Sequence, residues 1–273
     1  MIEVACYLCG ATAHTPWASE NGYRAVRCRD CGLVYVSPRP APESISRAAQ
    51  TGMHGGERNL SVTGSYGGPK RHDHYLSRLS DLFGPGYFHG SGERWLDVGA
   101  GFGELLETLA IASGGTLRAR GLEPNETKAA SARARNLDVS FFEPTARGER
   151  FHYISLLNVF SHLPDPPSTL AELGQLLEPG GELVMQTGNF AELEQEEIPV
   201  PLELPDHLSF ASERLLRRVL ERSGYTLVAF RSYPMYPAPK RRALLQRSAP
   251  AVAEREPLDL WLRARVSRPP RGL

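Results

Sequence analysis

What this chain has little of narrows its class before any motif is read. No stretch approaches the roughly eighteen consecutive apolar residues of a membrane-spanning helix, and the opening Met1-Ile2-Glu3-Val4 has no signal-peptide character. The expectation is a cytoplasmic protein without a membrane partner. Net charge is missing too, because 31 basic and 31 acidic side chains cancel. The one imbalance lies beyond Pro239, where nine Lys or Arg stand against three acids. A solvated surface is the preferred reading there, over a nucleic-acid patch. Cysteine is rare, with four residues in 273, all within the first 31 positions. The length suits one large domain with a small appendage.

The four cysteines form two pairs, Cys6-x-x-Cys9 and Cys28-x-x-Cys31, with eighteen residues between them. Each Cys-x-x-Cys turn can present two thiolates from one knuckle, and two knuckles close a tetrahedron. Gly10 and Gly32 follow the pairs, where a knuckle needs a permissive backbone. Two disulfides would conflict with a reducing cytosol, and neither pair opens a helix in a thioredoxin-like setting. The pattern predicts a structural zinc ribbon over residues 1–40, with no coordination position left for catalysis. Pro38, Pro40 and Pro42 then stiffen a linker.

The chain is organised around Trp95-Leu96-Asp97-Val98-Gly99-Ala100-Gly101-Phe102-Gly103-Glu104. A short apolar run reads as a buried parallel strand. The glycines then permit a sharp turn, and Leu105, Leu106 and Leu109 continue at helical spacing. Such a turn is expected to aim free backbone N–H groups at a ligand. The dinucleotide fingerprint would need glycine at position 104, and Glu104 stands there. The pattern is Asp97-x-Gly99-x-Gly101-x-Gly103. About twenty residues on, Gly121-Leu122-Glu123 reads as a second strand ending in a carboxylate, placed to accept both hydroxyls of a ribose.

This arrangement closely resembles the first motif of class I S-adenosylmethionine-dependent methyltransferases. The segment Leu176-Leu177-Glu178-Pro179-Gly180-Gly181-Glu182-Leu183-Val184 resembles the same family's helix-to-strand turn. The ribbon with its continuation Gly32-Leu33-Val34-Tyr35, and the later His207-Leu208-Ser209-Phe210, resemble a bacterial subgroup acting on deoxysugars and other natural-product intermediates. The resemblance implies a Rossmann-like α/β fold with a seven-stranded sheet over residues 93–268. A linker and helical lid segment would occupy 41–92, and a tail 269–273. It also implies S-adenosylmethionine as cofactor and a small-molecule methyl acceptor.

The site residues follow the family's order. Asp97, Gly99, Gly101 and Gly103 would carry the methionine part of the cofactor, and Glu123 its ribose. Phe142 and Glu143, after the strand from Val139, would flank the adenine. Asn158, at the end of the strand Tyr153–Leu157, would touch the cofactor where the family more often has an acid. Tyr66 is the candidate lid aromatic beside the sulfonium, with an ordinary loop tyrosine as the alternative. His72 and His74 read as helix-surface residues. His207 is the candidate general base with Asp206 orienting it, and His162 is the reserve; substrate positioning or cleft packing are the alternatives for the histidines. Residues 188–206 are read as an acidic insertion at the substrate mouth. Two other functions remain open at this level, a zinc-ribbon RNA methyltransferase and a non-catalytic cofactor-binding scaffold.

Overall fold

The computed structural model describes residues 1–89, 92–141, 149–198, 200–236 and 255–267. Three strands come first: β1 (His14–Glu20), β2 (Tyr23–Cys28) and β3 (Val34–Val36). They pair as an antiparallel meander. The β1–β2 turn uses Asn21 and Gly22 at φ 53° and 79°, the left-handed pair that a tight two-residue hairpin requires. Where a stiffened linker was expected, α1 (Pro42–Thr51) forms, with proline in its first turn and left-handed Gly52 at its end. Two-residue strands β4 (Met53–His54) and β5 (Leu60–Ser61) pair with each other, and α2 (Pro69–Phe83) follows.

The large α/β unit comprises β6 (Arg94–Val98), α3 (Glu104–Ser113), β7 (Arg118–Leu122), α4 (Glu126–Arg133), β8 (Val139–Ser140), β9 (Phe151–Leu157), α5 (Pro166–Gly174) and β10 (Leu177–Gly188). It continues through β11 (Ser209–Phe210), α6 (Glu213–Arg222), β12 (Tyr225–Pro234) and β13 (Leu258–Val266). Seven strands form one sheet in the order β12-β13-β10-β9-β6-β7-β8, with β13 antiparallel to both neighbours and the other central pairings parallel. Central β9 is covered on both faces, so Ile154 and Leu156 are fully buried. Asn125, Asp165 and Ser212 cap α4, α5 and α6 by accepting the N–H groups of Lys128, Ser168 and Leu215, each cap contributing about 1 kcal/mol. Among the described residues, no helix is long and apolar enough to cross a membrane.

One pairing was not expected. β11 leaves the large sheet's sequence order and adds to the ribbon, antiparallel to β3, with Ser209 opposite Tyr35 and Phe210 opposite Val34. The ribbon's Leu8, Val34 and Val36 share one continuous apolar core with Leu216 and Leu220 of α6. Three short strands cannot bury both faces alone, so the ribbon takes its fourth strand from the large unit and shares an apolar core with it.

Candidate active site

The open α/β sheet brings its chemistry-bearing residues to the carboxyl ends of the strands. Asp97 near the end of β6, Glu123 after β7 and Asn158 after β9 all line one cavity of about 1400 Å³ with Gly99 and Gly101. Asp97 is fixed by a short relay: Trp95 Nε1 donates to Ser155 Oγ at 2.8 Å, and Ser155 Oγ donates to Asp97 Oδ1 at 2.5 Å. Burial pushes the Asp97 carboxyl up to about 7; the Ser155 hydrogen bond opposes this, and the charges of Glu123 and Glu104 add to it.

The glycine turn works differently from the expectation. Gly99 and Ala100 donate their N–H groups to Leu122 O at 2.8 and 3.0 Å, Gly101 donates to Glu123 Oε2 at 2.7 Å, and Gly103 donates to Ala100 O at 2.9 Å. These N–H groups are consumed inside the protein. What the turn offers is an open concave surface: nothing lies within 4 Å of where a Cβ would stand on Gly101, at φ +58°. Gly103 serves packing instead, because a Cβ there would stand 2.4 Å from Leu137 Cδ1.

Glu123 is only 5% exposed and uses both oxygens, Oε2 for Gly101 N–H and Oε1 for Asn125 N–H at 2.8 Å. Each carboxylate oxygen keeps a second lone pair, so the group can still accept from two vicinal hydroxyls in the cavity it lines. The open surface over Gly101, the Glu123 carboxylate with its free lone pairs and buried Asp97 together fit S-adenosylmethionine.

The same cavity is also lined by His162, Asp206 and His207, whose candidate ligand atoms lie within 4.8 Å of one another. Asp206 does not orient His207. No hydrogen bond joins the two among the described residues, and Asp206 serves His162 instead, which donates Nδ1–H to the Asp206 carbonyl at 3.0 Å and lies 3.4 Å from Oδ1. His54 Nε2 is 2.7 Å from the same oxygen, in contact but off the hydrogen-bond direction. Burial opposes the charge on Asp206, yet His162 and His54 beside it hold its carboxyl well below the usual range. Burial likewise opposes a charge on His162, and Asp206 outweighs it, so the imidazole is pushed up. His207 instead donates Nδ1–H to Leu202 O at 2.8 Å. A carbonyl can only accept, so Nε2 is the lone-pair nitrogen of the neutral ring. Burial, then the His162 charge, lowers His207 to about 4, leaving it neutral at physiological pH.

Other expected residues are scattered. Tyr66 lies outside the cavity lining; its hydroxyl donates to Glu107 Oε2 at 2.8 Å and Arg135 stacks on its ring at 4.0 Å. Phe142 and Glu143 lie outside the described residues. His72 meets Glu107 at 2.8 Å, away from the cavity, whereas His74, read as a surface residue, lines it. Residues 71, 74, 75 and 78 of α2 all line the cavity, and their spacing is a second helical stripe beside the apolar one. Glu104 was also missed: it accepts Gly67 N–H at 2.8 Å and ties the preceding loop over the turn. His54, on a two-residue strand, carries no sequence signal at all.

The four cysteines meet as predicted. All are free, Cys6 Sγ is 3.4 Å from Cys31 Sγ, Cys9 Sγ is 3.5 Å from Cys28 Sγ, and all four sulfurs lie within 4.8 Å of one another. A tetrahedron with Zn–S bonds of about 2.3 Å has edges of about 3.8 Å. The set therefore fits zinc.

Comparison with known proteins agrees with the fold. The chain is 29% identical over 129 residues to the ubiquinone biosynthesis O-methyltransferase of Salmonella enteritidis PT4, covering 44% of this chain and 50% of that protein. It thus spans about half the length of the curated relatives it matches. The geranyl diphosphate C-methyltransferase of Streptomyces coelicolor A3(2) superposes with a TM-score of 0.54 at 13% identity, over 71% of this chain and 79% of that one. The [4+2]-cyclase SpnF superposes with a TM-score of 0.51 at 19% identity, over 71% and 80%. Such likenesses show the fold alone, and the cyclase illustrates that the fold does not name the reaction. The family is fixed by the sequence match over residues 69–229 to the Methyltransferase domain, and this chain belongs to that family, carrying a class I S-adenosylmethionine-dependent methyltransferase domain.

Proposed function

We propose that the enzyme transfers the methyl group of S-adenosylmethionine to an O, N or C nucleophile of a small molecule, an intermediate of natural-product biosynthesis. The observation that carries this is continuity: one cavity of about 1400 Å³ joins the glycine turn and Glu123 to His162, Asp206 and His207. A single ligand site takes roughly 300–1,000 Å³, so a small acceptor has room beside the cofactor. The names of the Salmonella relative and the Streptomyces structure, which refer to ubiquinone biosynthesis and geranyl diphosphate, also support a small acceptor.

When bound, S-adenosylmethionine supplies a methyl group on a sulfonium whose sulfur leaves as a neutral thioether. Glu123 would hold its ribose hydroxyls, Asp97 would pair with its ammonium, and Asn158 at the end of β9 would border it. His207 accepts the acceptor's proton on Nε2 as the acceptor's lone pair forms the new bond, and Asp206 offsets the resulting imidazolium. Alignment of the nucleophile supplies most of the acceleration, with proton removal adding about 10²–10⁴-fold. Cys6, Cys9, Cys28 and Cys31 would hold a zinc ion in a structural role, since four protein thiolates fill a tetrahedral site and leave no position for substrate.

The test uses zinc-loaded protein, isotope-labelled S-adenosylmethionine and a panel of small acceptors. His207→Ala is expected to keep its affinity for S-adenosylhomocysteine while turnover falls about 10²–10⁴-fold. Unchanged turnover removes His207 from the mechanism, and absent binding of either nucleoside removes the enzymatic reading.

A further inference from the structure

At the ribbon's β1–β2 turn Gly22 is exposed, but Glu20 and buried Asn21 sit on the segment that delivers the histidine cluster. Glu20 Oε2 accepts the N–H of Leu202 at 2.8 Å, and Glu20 Oε1 accepts that of Leu204 at 3.2 Å. Asn21, 9% exposed, donates from Nδ2 to Leu204 O at 3.3 Å. Its Oδ1 accepts Arg58 N–H at 2.9 Å and its carbonyl accepts Glu57 N–H at 3.2 Å, next to the strand carrying His54. A Cβ on Gly56 would stand 2.5 Å from Asn21, so this approach is close-packed.

Leu202 is the pivot. Its N–H is held by Glu20, and its carbonyl is the acceptor that fixes the His207 tautomer. Glu203, next along, has φ +58°, a conformation that costs a non-glycine residue free energy and persists only when its surroundings impose it. The Glu20 carboxylate is bonded on both sides of Glu203, while the Glu203 carbonyl accepts the N–H of Asp206 at 2.8 Å. We propose that Glu20 of the zinc ribbon is a positioning residue for the methyl-acceptor half of the site: it holds residues 202–204 so that His207 keeps Nδ1–H on Leu202 O and presents Nε2 to the acceptor. The ribbon is then an intramolecular template for the catalytic loop. This rests on the reading of His207 as the proton acceptor, but its main readout does not.

The experiment follows the ring nitrogens of His207 by ¹⁵N NMR in zinc-loaded protein, with S-adenosylhomocysteine affinity and turnover measured alongside. Wild type is expected to show His207 as the Nδ1–H tautomer. In Glu20→Ala the ring should shift to a mixture of tautomers and turnover should fall at least tenfold, with S-adenosylhomocysteine Kd within twofold. Glu20→Gln retains one oxygen acceptor and should fall between the two. Arg27→Ala is the control: Arg27 also ties the ribbon to this segment, through Ala191 O and Leu193 O, but it does not touch residues 202–204. A folded Glu20→Ala protein with an unchanged His207 ring spectrum overturns the proposal. So does Arg27→Ala if it moves that spectrum equally, because generic docking would then be sufficient. A shifted tautomer with unaltered turnover upholds the template and counts against His207 as the base.

Discussion

Replacing Glu123 with Gln tests the cofactor site most directly. The native carboxylate accepts two backbone N–H groups, from Gly101 at 2.7 Å and Asn125 at 2.8 Å. It is also the only carboxylate at the end of β7 that lines the cavity among the described residues. An amide keeps one oxygen acceptor and turns its NH₂ toward the second N–H, leaving two donors face to face. An N–H orphaned this way costs about 1–3 kcal/mol, and a hydrogen bond to a charged group is worth about 1.5–3 kcal/mol. Loss of the proposed charge-assisted bond from Glu123 to the ribose should therefore by itself weaken S-adenosylhomocysteine about 10- to 150-fold. Calorimetric titration of zinc-loaded protein measures this, with urea denaturation run in parallel to read the expected loss of about 1–3 kcal/mol in stability. A folded variant whose Kd stays within threefold of wild type would show that Glu123 shapes the turn without gripping the nucleoside.

Three further outcomes follow from the geometry. Asp97, pushed up to about 7 by burial, carries a proton in the free protein at mildly acid pH. A cationic ligand group favours its ionised form, so binding releases that proton and affinity rises with pH up to about 7. A flat affinity for S-adenosylhomocysteine between pH 5.5 and 7.5, measured by calorimetry, would refute this. The sign for the free protein is opposite: because the folded value lies above the ordinary carboxylate range, stability declines as pH climbs toward 7. Gly103→Ala places a Cβ 2.4 Å from Leu137 Cδ1 at φ +87° and should cost about 2–4 kcal/mol in urea denaturation; a loss under about 1 kcal/mol would mean the turn relaxes freely. Stripping zinc with a chelator should lower Tm and change the fluorescence of Trp17, whose indole donates to Leu193 O at 3.0 Å. An unaltered melting curve in metal-free protein would make the ribbon self-sufficient.

The chain's local patterns carry far. The glycine turn and the acid twenty residues later set the β6–α3–β7 centre of the sheet and the place of Asp97 and Glu123, because strands, turns and caps are short-range choices of backbone and periodicity; Pro179-Gly180-Gly181, expected as a helix-to-strand turn, instead lies inside β10 at a register shift against β9. The cysteine spacing carries as far, since two knuckles have few ways to close. Partnership is another matter. Asp206 and His207 are neighbours in sequence, yet one serves His162 and the other Leu202, because a peptide bond between residues says nothing about where their side chains turn. The N–H groups of the glycine turn look free in the sequence and are satisfied from Leu122 and Glu123, since buried donors take whatever acceptor the neighbouring strand brings. That the ribbon shares β11 and holds the 202–204 backbone through Glu20 depends on contacts more than 170 residues apart in the chain. Such contacts exist only after two apolar faces have closed on each other, and only the tertiary structure decides them.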